Sequence, residues 1–459
     1  MKMRTTQAIG KVDFNQRDSR YRYALAIFFI AAVALRVFYI LKFQWNIALS
    51  GDDYYFHWQG WMISKGLGIS DPFVYFGTTH GNTTPTMAFA SIPGRVVPGA
   101  FHPPLLSFLI ALMDLIGIQS SGGQIIFISL ITSGAVPLIG LTVLGLAGKG
   151  ASYVAMILAC FYPGMFIFSG RLLGESLAQF LVALFLYLIY RRLKAPNIKL
   201  TAAIAVVFAL SILTRSEMIL FGVVPLFLYA VQSIKKKKAD NLIEETAIWR
   251  FKDLGIIFAV VIVIVGPWVF RNMTSFKYPE YISADFGTVL AGSNCNSTFY
   301  GPEIGYNNFG CNVIPKVLND DSVFDQLNVT AGEKYISSHL GRLPFVVLAR
   351  VGRVYYVFNP VQQAAQIGPG ISSWPKWTSV SYWILSYPME LMAVIGFIFL
   401  KRRNIMISPM MMVFIASAVA VGISYGDVRF RAIVEVPLVI GASIGTKAIH
   451  NRIKGIKSP

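Results

Sequence analysis

The sequence carries little charge for its length. Charged residues make up 14% of its 459 positions and 55% are hydrophobic, whereas a soluble domain carries about 25% charged residues. It also shows no internal repeat, no heptad pattern and no appended soluble domain. These absences exclude a soluble globular protein, a repeat protein and a coiled coil.

The hydrophobic residues form runs long enough to cross a hydrocarbon core of about 30 Å. Because a helix satisfies its own backbone hydrogen bonds in lipid, they predict an all-α polytopic membrane protein with 10–12 membrane segments. The apolar segments lie near 24–43, 104–118, 124–147, 151–169, 172–190, 199–214, 216–233, 253–271, 343–358, 379–400, 405–424 and 430–448.

Basic residues outnumber acidic ones by 40 to 22, which gives a net charge of +18. A nucleic-acid partner is not expected, because the basic residues lie mostly at the ends of apolar runs, the positive-inside pattern of membrane proteins. A smaller role in holding anionic membrane lipids is compatible with the same pattern. The main basic clusters lie at 191–194, 235–238, 401–403 and 452–457.

These clusters predict which side of the membrane each loop faces. If they lie inside together with the polar tail 1–22, the polar stretches 44–103 and 272–342 lie outside. Ten crossings with both termini inside satisfy this, provided that segments 104–118 and 343–358 are re-entrant or interfacial. We therefore predict one multi-pass domain over 1–459 in the cell membrane, with short interfacial helices in both outer loops.

Only three cysteines are present, and two of them lie in the second outer stretch. Cys295 and Cys311 are predicted to form a disulfide, because thiols outside the cytoplasm oxidise. A disulfide closing a loop of this size adds about 3 kcal/mol in the chain-entropy model. Metal ligation is the weaker alternative, since no histidine lies nearby. Cys160 lies in an apolar run and is expected in the core.

Two adjacent acids follow the first apolar run. Asp52 and Asp53 precede several aromatic residues, and Tyr54 and His57 among them are candidate supporting residues. One carboxylate with a lowered pKa beside a cation, oriented by the other, suits a general base. The aromatic rings suit stacking on a sugar or a place in the headgroup layer. The alternative is a solvated acidic turn or a helix cap.

His102 stands directly before two prolines and an apolar run. Prolines are tolerated in the first turn of a helix, so His102 is predicted just ahead of a helix N-terminus at the outer surface. There it could contact a phosphate or an acceptor hydroxyl. The alternative is a histidine that only caps the helix.

Several arginines stand at the predicted outer ends of helices, where the positive-inside pattern makes them unfavourable. A lipid phosphate is one reason for such a group, because arginine binds phosphate bidentately. The alternative is ion pairing that ties helix ends together, with Glu175, Glu217 and Asp427 as partners. The candidate phosphate-binding residues are Arg171, Arg215, Arg271, Arg429 and Arg431.

Few charges lie within the spans themselves, where a transporter would place its polar groups. The candidate residues gather instead at the outer interface. This distribution favours an active site at the outer interface. A flippase or transporter for lipid-linked sugars and a non-catalytic assembly partner are the two alternative hypotheses.

Together these residues resemble the GT-C superfamily of membrane glycosyltransferases. The resemblance is greatest to its protein O-mannosyltransferase and aminoarabinose-transferase (family 39-like) group, and to uncharacterised actinobacterial members. It rests on Asp52-Asp53 and His102-to-Leu105 in the first loop. Further matching stretches lie at 169–176, 213–217, 267–272, 294–311 and 425–431.

The resemblance implies a polyprenyl-phosphate-sugar donor, an inverting transfer and a first-loop Asp as base. Asp52 occupies that place, although the second acid is Asp53 where relatives often have Glu, so which carboxylate acts stays open. No cofactor or metal is expected, since arginines can neutralise a monophosphate leaving group. The resemblance fixes neither the sugar, mannose or another hexose or pentose, nor the acceptor, which could be a lipid, glycan or protein.

Overall fold

The computed structural model describes residues 18–77, 94–238, 249–315, 319–365 and 374–455. Within these ranges the regular structure is helical, and the one β feature is an isolated bridge between Ser70 and Pro98. The predicted all-α fold is therefore confirmed. The tail 1–17 and residues 78–93 of the first outer stretch lie outside the described residues, so the predictions there stay predictions.

The first part of the chain builds one long helix, two short helices in the polar stretch, and a return into the apolar bundle. Helix α1 continues as the π-helical turn Ile40–Gln44. The helices are α1 (Ser19–Tyr39), α2 (Asp52–Ser64), α3 (Pro72–Phe76), α4 (Leu105–Leu115), α5 (Ser121–Thr132) and α6 (Ala135–Phe161).

Helix α6 reverses direction at Gly148. This glycine has φ 82° and ψ 178°, a conformation that is essentially restricted to glycine. The hydroxyl of Ser152 donates to the carbonyl of Gly140 at 2.7 Å, although twelve residues of straight helix would separate them by about 18 Å. The two halves therefore form a hairpin, which agrees with the separate apolar runs 124–147 and 151–169.

The middle of the chain adds four helices to the bundle. A helical turn, Pro163–Phe166 (α7), and the 3-10 turn Ile167–Gly170 lead into them, and a second 3-10 segment, Ser216–Gly222, precedes α10. These helices are α8 (Gly174–Lys194), α9 (Ile198–Ile212), α10 (Val223–Lys238) and α11 (Phe251–Ser275).

The second polar stretch folds into short helices before the chain re-enters the bundle. Cys295 and Cys311 form a disulfide in it, with their Cα atoms 6.3 Å apart, and Cys160 is buried in the core. The helices are α12 (Phe286–Ser293), α13 (Asn296–Phe299), α14 (Asp321–Ser338), α15 (Leu343–Val354) and α16 (Pro360–Ala365), followed in the bundle by α17 (Lys376–Arg402), α18 (Ser408–Ile423) and α19 (Ala432–Ile453).

Length and composition agree with a protein that crosses a membrane many times. Six helical segments among the described residues are long and apolar enough to cross, and Ser121–Phe161, which contains the hairpin, is one of them. The shorter α9, α10 and α18 are apolar as well. Counted with both hairpin arms, these helices give ten candidate crossings. The 11-residue α4 and the 12-residue α15 span only about 16–18 Å, and the re-entrant or interfacial placement of 104–118 and 343–358 stays a prediction.

Contacts between helix ends fix two opposite ends of the bundle. At one end Lys149 pairs with Asp18 at 2.8 Å, and Arg192 pairs with Asp253 at 2.9 Å. These four residues lie at the start of α1, in the hairpin, at the end of α8 and at the start of α11. This is the end near the predicted inner basic clusters. The first and second outer stretches both lie at the other end, where Ala284 N–H donates to the carbonyl of Ala100 at 2.7 Å.

Candidate active site

A cavity of about 660 Å³ lies where the two outer stretches meet the helix ends. Asp52 and His102 reach it from the first stretch, and Arg215 and Arg429 reach it from turns between membrane helices. Segments that are far apart in sequence thus bring carboxylates from both outer stretches and two arginines to one cavity.

Asp52 is the first residue of α2. Gly51 before it has φ 60°, a left-handed conformation that glycine adopts readily, and the positive end of the helix dipole favours an acid there. Oδ2 of Asp52 lies 2.6 Å from Nη2 of Arg429, and Oδ1 lies 3.4 Å from Nε2 of His102. Burial opposes ionisation, but the charges of Arg429 and His102 outweigh it and hold the pKa of Asp52 well below its usual range.

Asp53 points away from the cavity. It forms an ion pair with Arg171, and both side chains are almost fully buried. The backbone N–H of Ser50 donates to its carboxylate at 2.7 Å. Burial raises the pKa of Asp53, although Arg171 opposes the shift. This pair therefore anchors the start of α2 to the turn before α8, and neither residue lines the cavity.

His102 lies between two carboxylates. Its ring stacks on Phe56 with centroids 5.0 Å apart, and its Nδ1 lies 3.7 Å from Oδ2 of Asp285. The two prolines that follow lead into α4, as predicted. Burial alone would lower the pKa of His102, but the negative charges of Asp52 and Asp285 raise it to about 9. His102 is therefore a cation at neutral pH.

Arg215 and Arg429 share one buried anion. Glu175, at the start of α8 and fully buried, lies 2.5 Å from Nη1 of Arg215 and 2.7 Å from Nε of Arg429. Glu217 accepts a hydrogen bond from Nε of Arg215 at 2.5 Å. Nη2 of Arg215 and Nη1 of Arg429 have no hydrogen-bond partner among the described residues. Each arginine is thus held by carboxylates through part of its guanidinium group. Its remaining N–H groups are available to a ligand.

The remaining candidates serve the scaffold. Arg271 donates to the carbonyls of Gly99 and Ile69 at 3.2 and 2.6 Å, which holds the first outer stretch to the end of α11. Arg431 is fully buried and pairs with Glu435 and Glu390. Neither arginine lines the cavity. Arg271 thus has backbone partners and Arg431 has ion-pair partners, in neither case the Glu175, Glu217 or Asp427 that the sequence suggested.

Tyr54 and His57 also lie outside the cavity. Tyr54 stacks on Phe73 with ring centroids 5.7 Å apart. Nδ1 of His57 lies 2.7 Å from Oε1 of Gln124, and burial lowers the pKa of this histidine. Because side chains of α2 point in different directions around its axis, both residues pack the helix against its neighbours.

Three cavity carboxylates were not anticipated from the sequence. Glu280, Asp285 and Asp325 all come from the second outer stretch. Asp285 directly precedes α12 and Asp325 lies in α14, so in sequence they look like ordinary acids at helix ends. No local signal separates them from the other acids of that stretch. Among the described residues, no group of three His, Cys, Asp or Glu side chains is arranged to hold a metal ion.

Residues 99–277 match the model of the Alg9-like mannosyltransferase family. The match covers His102, Glu175 and Arg215 but less than half of the chain. No curated protein sequence matches it.

Solved structures match over almost the whole chain. The Archaeoglobus fulgidus oligosaccharyltransferase, tethered with an acceptor peptide, has a TM-score of 0.54 at 14% identity over 95% of this chain and 50% of its own. The same protein, AglB, in complex with an inhibitory peptide and a dolichol-phosphate, scores 0.53 at 14% identity over 95% and 51%. ArnT from Cupriavidus metallidurans, bound to undecaprenyl phosphate, scores 0.41 at 11% identity over 94% and 80%, too low to argue from.

The chain thus spans about half the length of the oligosaccharyltransferase that it matches. Its fold is that of the oligosaccharyltransferase, and the Alg9-like match over residues 99–277 supports the resemblance to GT-C superfamily glycosyltransferases that the sequence indicated. The particular resemblance to actinobacterial members stays a prediction.

Proposed function

We propose that this protein transfers a sugar from a polyprenyl-phosphate-linked donor to an acceptor hydroxyl, with inversion at the anomeric carbon. The observation that carries the proposal is one cavity in which the ionised Asp52 stands beside two arginines that keep free donors. The Alg9-like match makes mannose the first sugar to test. The dolichol-phosphate in the AglB complex supports a lipid-phosphate donor.

Asp52 is the proposed base. Its low pKa makes it a weak base, but the negative charge of a donor phosphate bound to Arg429 would offset the charge of that arginine and raise the pKa of Asp52, while Glu175 keeps the guanidinium group in place. The carboxylate then takes the proton of the acceptor hydroxyl as the oxygen attacks the anomeric carbon. His102, which lies 3.4 Å from Asp52, orients that carboxylate and the acceptor.

Arg215 and Arg429 are the proposed phosphate-binding residues. As the bond between sugar and phosphate breaks, negative charge grows on the leaving polyprenyl phosphate, and fixed cations stabilise it. Glu175 holds both guanidinium groups in place, and Glu217 holds the first. Because two arginines can neutralise a monophosphate, the proposal includes no metal or other cofactor.

We place this reaction on the extracytoplasmic face. The basic clusters lie near the opposite end of the bundle, which the positive-inside pattern puts in the cytoplasm. The disulfide lies at the cavity end, where an oxidising environment preserves it. Membrane lipids surround the bundle and deliver the donor.

The test is donor turnover by the purified protein in nanodiscs. Radiolabelled polyprenyl-phosphate sugars, with mannose first, are compared with nucleotide sugars, and release of polyprenyl phosphate is measured. Turnover of a lipid-linked sugar alone is the expected result. Turnover of nucleotide sugars instead contradicts the proposal. Movement of an intact lipid-linked sugar between leaflets, with no cleavage, would favour the flippase hypothesis.

A further inference from the structure

The carboxyl group of Glu280 lies on the cavity wall without a partner. The residue is only 7% exposed and lines the cavity, and it has no hydrogen bond or ion pair to any of the described residues. A buried polar group normally has a partner, and a buried charge needs a counter-charge. An unpaired carboxyl group that faces the cavity is therefore a candidate ligand-binding group.

The charged groups around Glu280 are negative. Asp285 directly precedes α12, Asp320 directly precedes α14, and Asp325 lies in α14. Asp325 already accepts the backbone N–H of Gly287 at 2.5 Å, so it has its own partner. Burial, together with these neighbouring acids, raises the pKa of Glu280 to about 8.

Glu280 lines the same cavity as Asp52 and the two arginines. Arg429 contacts Asp52, Asp52 contacts His102, and His102 contacts Asp285. Glu280 and Asp325 lie beyond Asp285 in this sequence of neighbours. In an inverting displacement the attacking hydroxyl approaches opposite the leaving phosphate. The charges that act on Glu280 and Asp325 come from acids, which repel a phosphate, so we assign the wall of Glu280, Asp285 and Asp325 to the acceptor.

We propose that Glu280 binds the acceptor by hydrogen-bonding an uncharged hydroxyl-bearing group, while Asp285 and Asp325 exclude acceptors that are negatively charged there. A protonated carboxyl group offers one donor together with acceptor oxygens, which suits neighbouring hydroxyls of a glycan. The assignment of this wall to the acceptor rests on the proposed function.

The experiment measures binding of a neutral glycoside, and does not need turnover. Saturation-transfer NMR on the protein in nanodiscs uses methyl α-mannoside as the probe and its 6-phosphate as the anionic counterpart. The variants are Glu280→Gln, which stays neutral at every pH, and Glu280→Ala, which removes the group. Glu333→Gln, an exposed position on α14 away from the cavity, is the matched control.

The wild type and Glu280→Gln are expected to bind methyl α-mannoside well below pH 8, and Glu280→Ala roughly tenfold more weakly, the effect of one lost hydrogen bond. Above that pH the wild type should lose more affinity than Glu280→Gln, because its carboxyl group ionises, whereas deprotonation of His102 near pH 9 is common to both. Equal binding by Glu280→Ala, equal binding of the 6-phosphate, tighter binding at high pH, or no glycoside signal in the wild type would each overturn the inference.

Undecaprenyl phosphate provides a separate readout for the donor site. Its affinity should be the same in wild type and in both Glu280 variants. If it does not bind even the wild type, the proposed donor fails, whereas the glycoside result still decides the role of Glu280. If it binds and the glycoside result is negative, only the role of Glu280 fails.

Discussion

Replacing Asp52 by Asn removes the proposed base while keeping the size of the side chain. The residue is 29% exposed in its side chain and sits at the cavity surface, so the change leaves no void in the core. Arg429 loses one carboxylate but keeps Glu175 at 2.7 Å. We therefore expect a folded protein whose defect is confined to the chemical step.

The size of that defect follows from the role of the group. General-base catalysis contributes about 10²- to 10⁴-fold, so kcat should fall by that factor. Donor binding should not weaken, because removing the negative charge of Asp52 beside Arg429 favours binding of the negatively charged donor phosphate there. Donor KM should stay constant or fall, which distinguishes loss of a transition-state interaction from loss of donor binding.

The assay is steady-state turnover of the lipid-linked donor identified above, with folding checked by thermal unfolding. Asp53→Asn is the informative contrast. It breaks a buried ion pair with Arg171, which costs about 3–5 kcal/mol, so stability should fall while kcat of the folded fraction changes little. If folded Asp52→Asn keeps full turnover, Asp52 is not the base.

Three further predictions concern pH and stability. Turnover should fall as pH rises through about 9, where His102 loses its proton; a pH–rate profile that stays flat through that value contradicts its cationic role. Gly148→Ala should destabilise the protein by about 1–3 kcal/mol, because alanine is strained in the backbone conformation of this turn. A Cβ there meets no atom within 4 Å, so no steric clash adds to this cost. An unchanged thermal midpoint would exclude the hairpin. Cys295→Ser should cost about 3 kcal/mol, seen in thermal unfolding, with Cys311 then open to thiol labelling; a wild type that labels equally without reductant would exclude the disulfide.

Much of the fold could be predicted because lipid imposes a simple rule. Backbone groups must pair within each segment, so apolar run length alone indicates the helices. The break between 147 and 151 was visible as a polar, glycine-containing interruption, and the structure turns there at Gly148. The short length of 104–118 likewise indicated a segment that does not cross, and α4 has only 11 residues.

The candidate site was only partly predictable. A first-loop acid, His102 and two outer arginines are brought together at one cavity. Arg171, Arg271 and Arg431 looked the same in sequence, yet each has scaffold partners. Position at a helix end does not say what faces a side chain, because the neighbours come from distant segments.

The sequence by itself determined the membrane class, the helical fold and the kinds of groups gathered at one end. Only the tertiary structure distinguishes the surroundings of Asp52 and Asp53, because neighbouring residues on a helix point about 100° apart, and of the two only Asp52 lines the cavity. It alone brought in Glu280, whose surroundings come from α12 and α14. The physical reason is that covalent order fixes local hydrogen bonding, whereas burial and charge at a site depend on contacts between segments far apart in the chain.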